Sequence, residues 1–102
     1  MKKNNTILIV DDESDIIDLL SYNLNKEGYN IVSANNGLEA TKLLSSKIDL
    51  IVLDIMMPEM DGLEFCKFVK SEKSYSNIPI IFLTAKDSEV DEIIGLEMGA
   101  DD

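Results

Sequence analysis

The chain has 102 residues, of which 45% are hydrophobic and 28% charged, so a single domain with a modest core is expected. Its 20 acidic and 9 basic residues give a formal net charge of −11, which disfavours direct contact with nucleic acid or an anionic membrane surface. The lack of histidine excludes histidine-based catalysis and ligation, and a single cysteine favours a reducing, cytoplasmic setting.

Strand and helix patterns alternate along the whole sequence. In chain order, the patterns predict a strand at 7–10, a helix at 14–27, a strand at 29–34, a helix at 38–46, a strand ending at 54, a helix at 63–71, a strand at 79–83 and a helix at 88–98. Gly28 is the predicted stop of the first helix, and Asn36-Gly37 is a predicted turn. This alternation, with short connections, predicts an α/β domain with a doubly wound parallel sheet.

Acidic side chains stand where two of the predicted strands end. The apolar run at 7–10 is followed by Asp11 and Asp12, and the run at 50–53 by Asp54. Uninterrupted apolar runs indicate strands that are buried on both faces of a parallel sheet. Because ligands bind outside the carboxyl ends of such strands, we expect the three carboxylates to converge on one ligand-binding edge.

Convergent carboxylates of this kind suit a magnesium ion and phosphoryl chemistry. Asp54 is the candidate nucleophile, since a carboxylate can attack phosphorus and form an aspartyl phosphate. Asp12 and Asp54 suit direct ligation of Mg²⁺, and Asp11 could bind it through water. The backbone carbonyl of Met56, just after Asp54, could complete the protein's share of the ligands.

Helix capping is the alternative explanation for the first two acids. Asp11 and Asp12 precede the first helix, where a side-chain oxygen commonly accepts a backbone N–H. Glu13 and Ser14 already offer capping groups. Two successive acids and a third at a neighbouring strand end exceed what capping requires, so the metal interpretation is favoured, and one residue can serve in both roles.

A hydroxyl side chain ends the fourth predicted strand. Thr84, next to Ala85, would lie on the same edge as Asp54, where its hydroxyl could donate a hydrogen bond to a phosphoryl oxygen. Threonine is also a common strand residue, and position alone leaves both interpretations open.

Three segments together resemble the receiver domain of two-component response regulators. They cover 7–13, 49–62 and 79–85, and read ILIVDDE, DLIVLDIMMPEMDG and PIIFLTA. The resemblance extends over essentially the whole chain, as one receiver domain spanning 1–102. The tail at 95–102, GLEMGADD, is similar to regulators whose second domain is a winged-helix DNA binder.

The resemblance implies a flavodoxin-like receiver fold and a role for each candidate residue. Asp54 would be the phosphoacceptor, Asp11 and Asp12 the acidic pair for Mg²⁺, and Thr84 with Ala85 the phosphoryl-binding switch. The donor would be the phosphohistidine of a sensor histidine kinase. The receiver would be an acceptor that phosphorylates and dephosphorylates itself rather than a turnover enzyme, and it would regulate transcription through a separate DNA-binding domain.

The sequence departs from the family pattern after the fourth helix. Receivers continue with a fifth strand, an aromatic switch residue, a Lys-Pro motif and a fifth helix, whereas this sequence stops at Asp102, and Lys86 does not match the catalytic lysine. We therefore expect a receiver that is incomplete at its C-terminus, with transfer and switching in doubt. The strand at 80–83 would then be an apolar edge, which favours lower stability and homodimer formation.

Three other classes of protein compete with the phosphoacceptor. A flavodoxin-like cofactor binder needs a phosphate-cradling turn after the first strand, where this chain has three acids. A magnesium-dependent phosphohydrolase usually has an acid two residues after its nucleophile, where this chain has Met56. An inactive receiver that serves as a protein-interaction module is favoured by the missing lysine and disfavoured by the intact Asp11, Asp12, Asp54 and Thr84.

Overall fold

The computed structural model describes residues 5–54 and 62–83. Its elements are, in order, β1 (Thr6–Val10), α1 (Ser14–Lys26), β2 (Asn30–Ala34), α2 (Gly37–Leu43), β3 (Ile48–Asp54), α3 (Gly62–Ser71) and β4 (Ile80–Leu83). The four strands form one parallel sheet in the order β2-β1-β3-β4. The predicted α/β class and doubly wound parallel sheet are therefore confirmed. The predicted helix at 88–98 lies outside the described residues.

Successive residues of β1 pack against opposite faces of the sheet. Ile7 and Ile9 belong to a cluster with Ile17 of α1, whereas Leu8 and Val10 belong to a larger cluster on the opposite face. That larger cluster contains residues of α2 and α3, among them Ala40, Phe65, Cys66 and Val69. The central strands are thus covered on both faces, which explains why they have uninterrupted apolar sequences.

The end of α1 is a Schellman motif at Gly28. The N–H of Gly28 donates to the carbonyl of Asn25 at 2.9 Å, and the N–H of Tyr29 donates to the carbonyl of Leu24 at 3.1 Å. Gly28 has a φ of 99°, in the left-handed region. The sequence-based stop at Gly28 is confirmed, and the helix itself ends at Lys26, with Glu27 as its C-cap.

The second helix differs from its predicted bounds of 38–46 at both ends. Asn36 is an N-cap rather than part of a free turn, because its side chain accepts the N–H of Glu39 at 2.7 Å, and the helix begins at Gly37. It ends at Leu43, because Leu44 takes an extended backbone with ψ of 137° and buries its side chain in the core.

The described residues include no helix long and apolar enough to cross a membrane.

We predict that replacing Gly28 with alanine destabilises the domain by about 1–2 kcal/mol, because a Cβ atom is unfavourable at positive φ. Gly28→Asn is the matched control, since asparagine tolerates this conformation better than alanine does. Urea unfolding of both variants measures the difference. Equal stability of the two variants would contradict a left-handed conformation at this position.

Candidate functional site

Two neighbouring strands of the sheet bring Asp11 and Asp54 together. Asp54 is the last residue of β3, and Asp11 comes directly after β1. In the parallel pairing of these strands Val10 lies opposite Leu53, so the next residue of each strand reaches the same edge. The expectation that these acids share the carboxyl edge of the sheet follows from this register.

The three predicted carboxylates form a compact cluster. One carboxylate oxygen from each of Asp11, Asp12 and Asp54 can be chosen so that all three atoms lie within 4.8 Å of one another. Asp11 and Asp54 are only 4% and 9% exposed, whereas Asp12 faces solvent. The cluster therefore has two buried acidic groups and one open side.

The backbone around Asp11 fixes its orientation. Its N–H donates to the carbonyl of Ala34 at 3.1 Å, and its Oδ1 accepts the N–H of Glu13 at 2.8 Å. This second bond is an Asx turn, which holds the Asp11 side chain against the chain that leads into α1. An aspartate two residues before an N-cap is the sequence signal for this bond, and it was not used in the sequence-based assignment.

Helix capping does not account for the cluster. The N-cap residue of α1 is Glu13, and its side chain makes no capping hydrogen bond. The backbone N–H that Asp11 accepts is that of Glu13 itself and not of a residue in the first helical turn. Asp11 thus organises the approach to the helix, and its second oxygen remains close to the other two carboxylates.

Burial raises the pKa of the Asp11 carboxyl above its ordinary value, since removal from water disfavours the charged form. The negative charges of Asp12 and Glu13 raise this pKa further, whereas the hydrogen bond from the Glu13 N–H lowers it. A cation placed among the carboxylates would oppose the first two effects. The electrostatics of the cluster therefore favour cation binding.

The donor set fits a hard divalent cation. All three groups offer carboxylate oxygens, which are the ligands that Mg²⁺ prefers, and the exposed side at Asp12 leaves room for the waters that Mg²⁺ retains. The remaining predicted site residues, Met56, Thr84 and Ala85, lie outside the described residues. Their assigned roles stay predictions.

We predict that Asp11→Asn stabilises the metal-free domain at neutral pH. A carboxyl whose pKa is raised on folding contributes stability at low pH and loses it as pH rises through the folded-state pKa. The variant should therefore gain on the wild type between about pH 4 and pH 7, by about 1 kcal/mol or several degrees in Tm. Urea melts in a chelator across this range measure the gap.

Asp18→Asn is the control for this experiment, because Asp18 is an exposed acid on α1 outside the cluster. It removes the same formal charge, so it reports the general effect of a less acidic surface. A stability gap for Asp11→Asn that does not change with pH would contradict the raised pKa.

Comparison with known proteins identifies relatives over nearly the whole chain. Residues 7–102 match the response regulator receiver domain family. The chain is 51% identical over 100 residues to the alkaline phosphatase synthesis transcriptional regulatory protein PhoP of Bacillus subtilis (strain 168), a match that covers 97% of this chain and 41% of that regulator. The chain therefore spans less than half the length of this relative.

Solved structures of receivers share the fold. The N-terminal domain of a response regulator receiver protein from Methanoculleus marisnigri JR1 has a TM-score of 0.84 at 36% identity, covering 95% of this chain and 80% of that one. The receiver domain of Francisella response regulator 1452 has a TM-score of 0.86 at 34% identity, covering 97% and 81%. With the strand order and the acidic cluster, these matches establish that the chain belongs to the response regulator receiver domain family.

Proposed function

We propose that this chain is a phosphoacceptor that takes a phosphoryl group onto Asp54 with the help of Mg²⁺. The observation that carries the proposal is the position of Asp54, at the end of β3 and within 4.8 Å of two other carboxylates. Such a cluster provides a nucleophile and a cation site in one place. Phosphoryl transfer needs both, since its catalysis consists mainly of positioning and charge stabilisation.

Each carboxylate has a distinct part in this reaction. Asp11, Asp12 and Asp54 would hold the cation, with the Met56 carbonyl as a further predicted ligand, and bound Mg²⁺ would neutralise charge on the phosphoryl oxygens. An Asp54 oxygen attacks the phosphorus of a phosphohistidine. The P–N bond breaks, the imidazole leaves and takes up a proton, and an acyl phosphate forms on Asp54.

The buried and exposed members of the cluster suit these parts. Asp11 is locked by its bond from the Glu13 N–H, so its carboxylate is preorganised and loses little side-chain freedom when a cation binds. Asp12 is exposed and accessible to an incoming hydrated ion. Asp54 is 9% exposed, which limits the access of water to an acyl phosphate formed there.

We infer the wider role from the relatives. A sensor histidine kinase is the proposed donor, and the chain is proposed to be an acceptor rather than a turnover enzyme. Because a similar protein is named as a transcriptional regulatory protein and this chain matches 41% of its length, a separate DNA-binding domain is the proposed output. The acidic receiver itself is not expected to touch DNA, and the cytoplasm is the proposed location. Homodimer formation, with Thr84 and Ala85 as the switch, completes the proposal.

We predict that millimolar Mg²⁺ raises the Tm of the wild-type chain and that Asp12→Ala abolishes this effect. A ligand present at tenfold its Kd stabilises the folded state by about 1.4 kcal/mol, or several degrees for a domain of this size. Asp18→Ala is the matched control and should retain the full shift. Thermal melts with and without the ion measure the effect, and a wild-type Tm that does not respond to Mg²⁺ would rule out the site.

We predict that acetyl phosphate with Mg²⁺ adds one phosphoryl group to the protein and that Asp54→Asn eliminates the addition. The product should be labile to hydroxylamine, as an acyl phosphate is. Intact-mass spectrometry measures the addition in the 102-residue chain and in its full-length parent, where transfer should be faster if the family's lysine is present.

Asp18→Asn is the control for this second experiment, because it removes one exposed carboxylate on α1 and leaves the cluster intact. It should be phosphorylated like the wild type. Equal phosphorylation of Asp54→Asn in the parent would show that another residue is the acceptor, and no addition to the wild-type parent would favour an interaction module instead.

A further inference from the structure

A partly open cavity of about 220 Å³ lies beside the acidic cluster. One end is acidic and includes Asp11, Glu13 and Asp54; the rest of its lining is aliphatic and consists of Ile16, Leu19, Leu20 and Leu83. The cavity thus joins the carboxyl edge of the sheet to an apolar surface between α1 and β4. None of the aliphatic residues has a part in the proposed phosphoryl chemistry.

The aliphatic wall is formed mainly by one face of α1. Ile16, Leu19 and Leu20 are spaced at i, i+3 and i+4, so their side chains lie side by side. Leu19 remains 59% exposed, although it stands beside the partly buried Ile16 and Leu20. Leu83 at the end of β4 contributes to the lining from the sheet. An occupant with an aliphatic part would therefore gain by removing this surface from water.

We propose that this cavity binds small aliphatic primary ammonium ions, with the ammonium group at the carboxylates and the alkyl chain along α1. Charge complementarity selects the head group, since two of the three acidic residues are buried and a cation relieves their repulsion. Primary amines are protonated at neutral pH, as the lysine side chain is. Carboxylates and phosphates of the same length are repelled from this end.

The volume limits the occupant to a fragment-sized molecule. An apolar cavity of about 150 Å³ is large enough to bind benzene, whereas sites for drug-sized ligands begin at about 300 Å³. At about 220 Å³ the cavity lies between these sizes, which suits a linear amine with about six carbons. Larger amphiphilic amines would extend into solvent and gain little.

Binding of such an amine and of a divalent cation are mutually opposed. Both cations would be attracted by Asp11 and Asp54, whose oxygens belong to the same compact cluster. Each ligand must then weaken the affinity for the other by the same factor. An amine of this class would hold the domain in a metal-free state, which makes the cavity a site of inhibition. The binding itself does not depend on phosphorylation of Asp54.

The direct test is a titration followed by methyl NMR in a chelator, without metal. The probes are n-hexylammonium, n-hexanol and hexanoate, which share a chain length and differ in charge. We expect n-hexylammonium to shift the methyl signals of the aliphatic lining residues, with weaker effects from n-hexanol and none from hexanoate. The signals of Leu38, which is exposed on α2 and absent from the lining, should stay unchanged.

Two outcomes of this titration would overturn the proposal. Absence of shifts at the lining residues would show that the cavity does not bind the amine. Binding of n-hexanol or hexanoate as tight as that of n-hexylammonium would show that the carboxylates do not select a cation. Because these measurements are made without metal, their result is independent of the proposed magnesium site.

Variants locate the binding on the protein. Leu19→Ser should weaken n-hexylammonium binding by about threefold to tenfold, because part of a leucine contact is lost. Leu38→Ser is the matched control, since Leu38 is 48% exposed on another helix and should bind the amine unchanged. Both replaced side chains are exposed, so urea melts should show folded variants. Equal weakening in both variants would contradict the assignment to this cavity.

Competition gives the last measurement. Added Mg²⁺ should raise the apparent Kd of n-hexylammonium in the wild type, and n-hexylammonium should reduce the Mg²⁺-induced rise in Tm. Where Mg²⁺ alone raises Tm, amine binding that is indifferent to it would overturn the shared use of Asp11 and Asp54.

Discussion

Repulsion among three carboxylates at the end of the sheet is the constraint on which the rest of this site depends. Two unit charges about 5 Å apart repel by about 1 kcal/mol in water and by about 3 kcal/mol at an effective dielectric constant of 20. Asp11 and Asp54 are buried and cannot move apart without displacing β1 or β3, the two central strands. Packing on both faces of the sheet therefore holds the charges in place, and a cation or a proton must offset them.

The positions of these acids could be predicted because strand burial is visible in the sequence. A strand covered on both faces has an unbroken apolar run, and the first acid after the run marks its carboxyl end, as Asp11 and Asp54 do. The register between the strands could not be predicted in the same way. It shifts between Thr6 and Ile7, where Asp49 is the extra residue and its side chain accepts the N–H of Thr6 at 2.8 Å.

Local patterns were less reliable where tertiary packing decided the boundary. The apolar residues Leu43 and Leu44 continue the helical spacing of α2, but burial of Leu44 in an extended conformation ends the helix at Leu43. The cavity was also invisible in the sequence. The spacing of Ile16 and Leu20 predicts an apolar helix face, but only the position of α1 relative to Leu83 shows that this face borders an open space.

The two faces of the sheet are packed unequally, and the site lies on the weaker side. Among the described residues, the cluster on the α2 and α3 face contains 13 buried residues, whereas the cluster on the α1 face contains 4. Regions with fewer buried apolar contacts open more readily, so α1 is the element expected to move most easily relative to the sheet. Asp11 and Asp12 lie just before this helix, and Asp54 lies on the central strand β3. A divalent cation shared by the three carboxylates would therefore connect the more loosely packed helix to the centre of the sheet. An ammonium ion held along the α1 wall would offset the same charges without making that connection through Asp12, which does not line the cavity.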